Sequence, residues 1–317
     1  MQELIDGVGE GDRRALARAI TLVESTRADH RAQATAALTE LLPRTGTAVR
    51  VGISGPPGVG KSTFIEAFGT HLTSTGHRVA VLAVDPSSAR SGGSILGDKT
   101  RMERLARDPD AFIRPSPAGT ELGGVARRTR EALLLCEAAG FDVVIVETVG
   151  VGQSELAVAD LVDVFVLLAS PSGGDDLQGI KRGIMELADL VVVTKADGEL
   201  ASAANHAAAD LKRAIHLLRP KYDGTSTETL LVSSTQGTGV AEVWTAITGI
   251  HGLLRETGQL DQLRAAQAKA WLWDEIRAEL QQRFRTTHPR AEIEAVERAV
   301  MDGSISPTVA AQQLLGE

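Results

Sequence analysis

Between residues 46 and 255 the chain alternates short apolar runs with stretches of helical length. The runs are "VRVGIS", "RVAVLAV", "AFIRP", "DVVIVE", "DVFVLLAS", "LVVVT" and "TLLVSS". They lack the polar alternation of a half-exposed sheet, so they predict strands buried on both faces. Strands that alternate with helices predict an α/β domain with a mostly parallel sheet sandwiched by helices. In such a sheet, ligands bind beyond the carboxyl ends of the strands.

The two ends of the chain have a helical pattern instead. Residues 1–45 are rich in alanine, with Leu16, Ile20 and Val23 at helical spacing, and a second helix is expected from Asp29 to Leu42. We interpret this segment as an N-terminal helical extension.

Residues 256–317 are predicted to form a C-terminal helical arm. One long helix carries an apolar stripe, followed by Pro289 in the first turn of a second helix and Ser306-Pro307 at the start of a third. The stripe consists of Trp273, Ile276, Leu280 and Phe284. Because it lies outside the sheet domain, we expect the arm to mediate formation of a homodimer.

Composition narrows the class of protein. Of the 317 residues, 43% are hydrophobic and 23% are charged, which is typical of a globular chain, and the net charge of -8 disfavours nucleic acid as a partner. No uninterrupted apolar run reaches the roughly 18 residues of a membrane span. The first residues lack the basic and apolar regions of a signal peptide, so a cytoplasmic protein is expected.

The segment "GPPGVGKST" follows the first predicted strand and opens a helix. It matches the phosphate-loop pattern G-x-x-x-x-G-K-[ST] in its required context, with the residues Gly55, Pro56, Pro57, Gly58, Val59, Gly60, Lys61, Ser62 and Thr63. Glycines allow backbone N–H groups to converge on phosphate oxygens, and the helix N-terminus favours negative charge. Lys61 is expected to reach the terminal phosphates, and the Ser62 hydroxyl to bind Mg²⁺.

Magnesium prefers oxygen ligands, so the sequence should supply carboxylates near this loop. Three acids qualify: Asp85, Asp98 and Glu147. Asp85 and Glu147 each end a buried apolar run, where a carboxylate is costly unless a cation or donors receive it. We therefore predict a metal site formed by Ser62 and these acids.

A second motif bears on the base of the nucleotide. The strand "LVVV" is followed by Thr194-Lys195-Ala196-Asp197, and Asp197 could accept hydrogen bonds from guanine N1–H and its 2-amino group. Adenine lacks both donors, so Asp197 predicts a preference for guanine. The Lys195 stem is expected to lie over the base. A later strand end supplies Ser233, Ser234 and Thr235, which are expected to close the base pocket with backbone groups.

These residues resemble those of the MeaB/ArgK-type GTPases, relatives of the methylmalonyl-CoA mutase-associated GTPase. The resemblance covers nearly the whole chain and rests on "GPPGVGKST", "VDPSSARSGGSILGDKTRM", "ETVGVGQSE" and "SGGDDLQGIKRGIMELADL". It implies a P-loop NTPase fold, GTP and GDP as ligands, Mg²⁺, and hydrolysis of GTP. It also implies a role in gating adenosylcobalamin loading and in protecting or reactivating methylmalonyl-CoA mutase.

The resemblance also assigns roles to single residues. Asp85, Asp98 and Glu147 match positions that surround the magnesium ion, and Lys61, Asp98, Glu147 and Gln153 are the predicted catalytic residues. Nucleotide-responsive switches correspond to residues 86–101, 148–155 and 172–183. The family's usual N-K-x-D appears here with Thr194 first, which removes an asparagine that would brace the phosphate loop and the base.

Three other functions remain open from the sequence. The first is an ATP-dependent kinase linked to basic amino acid transport, against which Asp197 argues. The second is a metallochaperone-type GTPase, for which the seven histidines are scattered and the single cysteine, Cys136, stands alone. The third is a scaffold in which the helical arms bind partners and hydrolysis is incidental.

Overall fold

A computed structural model describes residues 1–84, 102–115, 122–148, 154–171 and 182–316. Its seven strands form one sheet in which all neighbouring strands are parallel, in the order β3-β2-β4-β1-β5-β6-β7. The strands are β1 (Val49–Ser54), β2 (Val79–Val84), β3 (Ala111–Arg114), β4 (Val143–Thr148), β5 (Val164–Ala169), β6 (Leu190–Val193) and β7 (Glu228–Leu231). Each corresponds to one predicted apolar run, so the predicted α/β fold is confirmed, and the sheet is wholly parallel among these strands.

Thirteen α-helices lie within the described residues. They are α1 (Gln2–Gly9), α2 (Arg13–Glu24), α3 (Ala28–Leu41), α4 (Lys61–Ser74), α5 (Glu103–Arg107), α6 (Leu122–Ala138), α7 (Ser154–Ala159), α8 (Arg182–Leu187), α9 (Ala201–Ile215), α10 (Val240–Glu256), α11 (Gln259–Thr287), α12 (Arg290–Met301) and α13 (Pro307–Leu315). Short 3-10 helices cover Leu42–Arg44 and Gly198–Leu200.

Helices pack on both faces of the sheet because alternate strand residues point to opposite sides. On one face Val51 and Ile53 join a core with Phe64 and Phe68 of α4. On the other face the backbone of Gly52 approaches Val158 and neighbouring side chains so closely that a Cβ would lie 2.9 to 3.1 Å from them. Fully burying a side chain such as Phe68 contributes about 2 kcal/mol through the hydrophobic effect.

The terminal helices agree closely with their sequence patterns. Helix α3 begins and ends one residue earlier than its pattern predicts, and α1, which lies in the segment predicted to be helical, buries Leu4, Ile5 and Val8. Pro289 is the N-cap of α12, just before its first turn, and the Ser306 side chain accepts a hydrogen bond from the Val309 amide at the start of α13.

Contacts divide the chain into two compact units. The first comprises Met1–Gln267 and contains the whole sheet, and the second comprises Ala268–Glu317. In the second unit Val296 and Ala310 are buried, whereas Trp273 and Leu280 are 53% and 59% exposed. The predicted domain boundaries at residues 45 and 255 stay predictions.

Candidate nucleotide-binding site

The phosphate loop connects the end of β1 to the start of α4, as its motif requires. A Cβ at Gly55 would lie only 2.6 Å from the Leu168 carbonyl oxygen of β5, so this position has no room for a side chain. Gly60 is the N-cap of α4 and has a left-handed φ of 97°. Its N-cap residue makes no side-chain cap hydrogen bond, and the first N–H groups of a helix lack intrahelical acceptors, so this terminus is suited to binding an anion.

Lys61 folds back onto the loop that precedes it. Its Nζ atom donates hydrogen bonds to the carbonyl oxygens of Gly55 at 2.7 Å and Pro56 at 3.3 Å. Burial lowers the pKa of Lys61, while the nearby carboxylates of Glu147 and Glu155 act in the opposite direction. The carboxylates of Glu147 and Glu155 therefore lie within electrostatic range of the Lys61 ammonium group.

Two side chains of the base motif, those of Thr194 and Lys195, contact the phosphate loop at Val59 and Gly58. The Thr194 hydroxyl donates a hydrogen bond to the Val59 carbonyl at 2.6 Å and lies 3.3 Å from the Ala169 carbonyl. Lys195 Nζ donates to the Gly58 carbonyl at 2.7 Å. Thr194, which stands where the family's motif has an asparagine, thus contacts the phosphate loop through its hydroxyl, and the effect of this replacement on nucleotide binding stays a prediction. The side chains of Thr194 and Lys195 thus bind carbonyl oxygens of the loop and do not occupy its amide groups.

Asp197 and the segment after β7 form the candidate base pocket. The hydroxyls of Ser233 and Thr235 both donate to Asp197 Oδ2, the second at 2.7 Å. These hydrogen bonds, that of Ser233 first, lower the pKa of Asp197 and keep it ionised as an acceptor. Ser233 and Thr235 thus orient the aspartate through their side chains. Ser234 lies between them in the same segment, half-buried.

Glu147 lies in the centre of the sheet, at the carboxyl end of β4. It is only 3% exposed and is paired in register with Ile53 of β1 and Ala83 of β2. Ser62 is half-buried in the first turn of α4, and Thr63 beside it is exposed. A hydroxyl and a carboxylate are oxygen donors of the kind that Mg²⁺ prefers, so the chemistry of Ser62 and Glu147 fits a magnesium site, whose geometry stays a prediction.

Several predicted site residues fall beyond the part of the chain that the structure describes. They are Asp85, Asp98 and Gln153, so their roles stay predictions. Within the described residues no group of three or more His, Cys, Asp or Glu side chains could hold a metal ion. Glu155 lies within the predicted switch 148–155, but the sequence assigns it no role of its own. The fold shows that it is 2% exposed and that its charge acts on Lys61.

The fold and the phosphate loop together define a nucleotide-binding protein of the P-loop class, and the selection of guanine by Asp197 stays a prediction. Comparison with known proteins identifies the family within this class. The family described as "Methylmalonyl Co-A mutase-associated GTPase MeaB" matches residues 16–289. The chain belongs to this family of P-loop GTPases.

Individual relatives agree with the family. A "Putative GTPase" of Caulobacter vibrioides is 54% identical over 306 residues, which are 96% of this chain and 94% of the relative. The mouse "Methylmalonic aciduria type A homolog, mitochondrial" is 49% identical and covers 99% of this chain and 79% of its own. Among solved structures, the "LAO/AO transport system kinase" has a TM-score of 0.78 and 40% identity, covering 99% of this chain and 96% of its own.

Among the helices that the structure describes, none is long and apolar enough to span a bilayer.

Proposed function

We propose that this protein binds and hydrolyses GTP with Mg²⁺, and that it gates adenosylcobalamin loading and protects or reactivates methylmalonyl-CoA mutase. The observation that carries the nucleotide part is the pair of hydrogen bonds from Thr194 and Lys195 to the phosphate loop. Asp197, which would read the base, follows these two residues in the same motif. This geometry supports recognition of a complete guanine nucleotide.

The described residues support specific roles in phosphoryl transfer, which depends on positioning and charge stabilisation. Lys61 would exchange the carbonyl oxygens of Gly55 and Pro56 for phosphate oxygens. Ser62 and Glu147 would hold Mg²⁺, which supplies positive charge to the phosphates. Asp85, Asp98 and Gln153 remain proposed partners in the metal shell and in ordering the attacking water.

An ATP-dependent kinase is the principal alternative, because the similar solved structure is named as a transport system kinase. The local chemistry around Asp197 argues against it. An ionised carboxylate faces repulsion from the N1 acceptor of adenine, whereas guanine offers two donors. For a metallochaperone, the described residues supply no cluster of three metal ligands that would support a bound transition metal.

The mutase role rests on the family and on the mouse relative, whose name refers to methylmalonic aciduria. It is tested by measuring binding of the full chain to candidate cobalamin-dependent mutases without nucleotide, with GDP, and with a non-hydrolysable GTP analogue. We expect an affinity that depends on the nucleotide. In Lys61→Ala this dependence should be lost, because the loop no longer holds the terminal phosphates.

The outcomes separate the competing functions. An association with no mutase in any nucleotide state contradicts the chaperone role and leaves a GTPase of another process. Full mutase protection by Lys61→Ala would favour a scaffold in which hydrolysis is incidental.

A homodimer is also part of the proposal. The apolar stripe of α11 includes Trp273 and Leu280, both more than half exposed, and such a surface is typical of a protein interface. The cytoplasmic location predicted from the sequence stays a prediction.

A further inference from the structure

Two buried hydroxyl groups lie side by side at the carboxyl ends of the two central strands. The Thr148 hydroxyl of β4 donates a hydrogen bond to the Ser54 hydroxyl of β1 at 2.8 Å. Both residues are 0% exposed. Ser54 directly precedes Gly55, the first residue of the phosphate loop, and Thr148 directly follows Glu147. The hydrogen bond therefore joins the two strands next to the two parts of the candidate site.

This contact continues the connection between the strands beyond their last paired residues. The register of β1 and β4 runs from Val49 opposite Val143 to Ile53 opposite Glu147. One residue further on, Ser54 is paired with Leu167 of β5, and its side chain provides the link to β4. The side-chain bond thus fixes the end of β4 against the end of β1.

The stability of the sheet does not require a polar pair at this point. All other residues of β1 and β4 are apolar or glycine, apart from Arg50 and Glu147. Replacing both partners of a buried hydrogen bond by apolar groups of similar shape is often nearly neutral for stability. Two hydroxyls at this position therefore favour a role in aligning the loops that follow.

We infer that Ser54 and Thr148 are positioning residues for GTP hydrolysis. Their hydrogen bond sets the position of the Glu147 carboxylate relative to the phosphate loop, and this inference rests on the proposed function. Successive residues of a strand point to opposite faces of the sheet, so the side chains of Glu147 and Thr148 lie on different faces. The Thr148 hydrogen bond therefore fixes the backbone next to Glu147 and does not contact the Glu147 carboxylate. A displacement of about 1 Å at such a point is sufficient to lower turnover strongly.

The inference is tested with four variants: Thr148→Val, Thr148→Ser, Ser54→Ala and the double variant Ser54→Ala/Thr148→Val. For each, kcat and KM of magnesium-dependent GTP hydrolysis are measured together with the denaturant midpoint of unfolding. We expect Thr148→Val and Ser54→Ala each to lower kcat about fivefold, with KM changed less than about twofold. Thr148→Ser, which keeps the hydroxyl, should retain a kcat close to that of the wild type.

The double variant separates positioning from stability. Ser54→Ala leaves the Thr148 hydroxyl buried without its acceptor, so this single variant should be the least stable of the set. The double variant removes both hydroxyls and should recover stability, while its kcat stays as low as in the single variants because the same bond is missing.

Two results would overturn the inference. One is a kcat within twofold of the wild type in both single variants, and the other is a kcat that recovers together with stability in the double variant. Wild-type protein that does not hydrolyse GTP at all would contradict the proposed function itself, and the inference with it.

Discussion

At the scale of single residues, Thr194 has the clearest consequence for nucleotide binding. One hydroxyl donor connects the base motif to the phosphate loop through the Val59 carbonyl and also lies near the Ala169 carbonyl at the end of β5. A threonine offers one donor where an asparagine amide offers two and an acceptor. Thr194 thus contacts the phosphate loop and the end of β5, whereas Asp197 is held by the hydroxyls of Ser233 and Thr235.

The contribution of the Thr194 hydroxyl is measurable by substitution. Thr194→Val keeps the shape of the side chain but leaves the buried Val59 carbonyl without its donor, at a cost of about 1–3 kcal/mol. We expect affinity for both GTP and GDP to fall about tenfold, while the preference of GTP over ATP stays unchanged because Asp197 is intact. Titration calorimetry measures both quantities.

The matched control for this prediction is Thr194→Ser, which retains the hydroxyl and should bind GDP nearly as the wild type does. Equal affinities of Thr194→Val and the wild type would show that the hydrogen bond to Val59 does not support the loop.

At the scale of secondary-structure elements, the sequence predicts most of the fold. All seven strands are recognisable because a sheet covered on both faces produces continuous apolar runs. The N-terminal segment is predicted as helical, but the bounds of α1 are not recognisable in it because this helix spans eight residues, two of them glycine, and therefore has a weak helical signal. The phosphate loop and the Thr194–Asp197 motif are recognisable because each is contiguous in the chain.

Other features of the site depend on residues far apart in sequence. The hydrogen bonds between Ser54 and Thr148 and between Thr194 and Val59 join residues separated by 94 and 135 positions. The burial of Glu155 near Lys61 likewise depends on how α7 packs. No local pattern encodes such contacts, so they emerge only from the assembled sheet.

The start of α11 is attached to the sheet by a buried ion pair. Arg264 donates from Nε and a terminal nitrogen to the two oxygens of Asp163, at 2.9 and 2.7 Å, and also to the Ala48 carbonyl. Asp163 is 0% exposed at the entrance to β5. Removing the guanidinium leaves this carboxylate poorly compensated, so we expect Arg264→Met to lower the free energy of unfolding by about 3 kcal/mol.

Denaturant unfolding tests this prediction against Arg213→Met, which breaks an exposed pair with Asp210 and should cost less than about 1 kcal/mol. Similar losses in the two variants would contradict a structural role for the buried pair.

His251 makes the same region sensitive to pH. Its Nε2 atom lies 3.7 Å from Asp163 Oδ2, and burial lowers its pKa from the ordinary value of 6.5, with Arg264 and Arg255 acting in the same direction and Asp163 opposing. Below about pH 6.5 the unfolded chain binds a proton that the folded chain does not, so stability falls as pH falls. Above that pH, His251 contributes no such dependence.

We expect His251→Gln to reduce the loss of stability between pH 7 and about pH 5, measured as unfolding midpoints. His206→Gln, at an exposed position of α9, serves as the control and should retain the wild-type pH dependence. An unchanged profile in His251→Gln would show that other groups determine the acid sensitivity.

At the scale of the whole molecule, the second compact unit, residues 268–317, carries the surface that we propose for formation of the homodimer. Its apolar stripe leaves Trp273 and Leu280 exposed on α11, and the buried residues of this unit are few. We expect Trp273→Glu/Leu280→Glu to convert a homodimer into a monomer, because charges in an apolar interface are desolvated without partners. Sedimentation velocity measures the change in mass.

Gln282→Glu is the control for this prediction, since it lies on the opposite side of the same helix and should leave the dimer intact. A wild-type monomer, or a double variant that still forms dimers, would contradict the role assigned to the stripe.

We propose that this P-loop protein selects guanine through Asp197. Titration calorimetry with GDP, GTP, ATP and xanthosine triphosphate, on the wild type and on Asp197→Asn, tests it most directly. We expect the wild type to bind ATP at least about 100-fold more weakly than GTP. Asp197→Asn, whose amide can donate to the 2-oxo group of xanthine, should instead favour xanthosine triphosphate. Wild-type binding of ATP as tight as that of GTP would contradict the account.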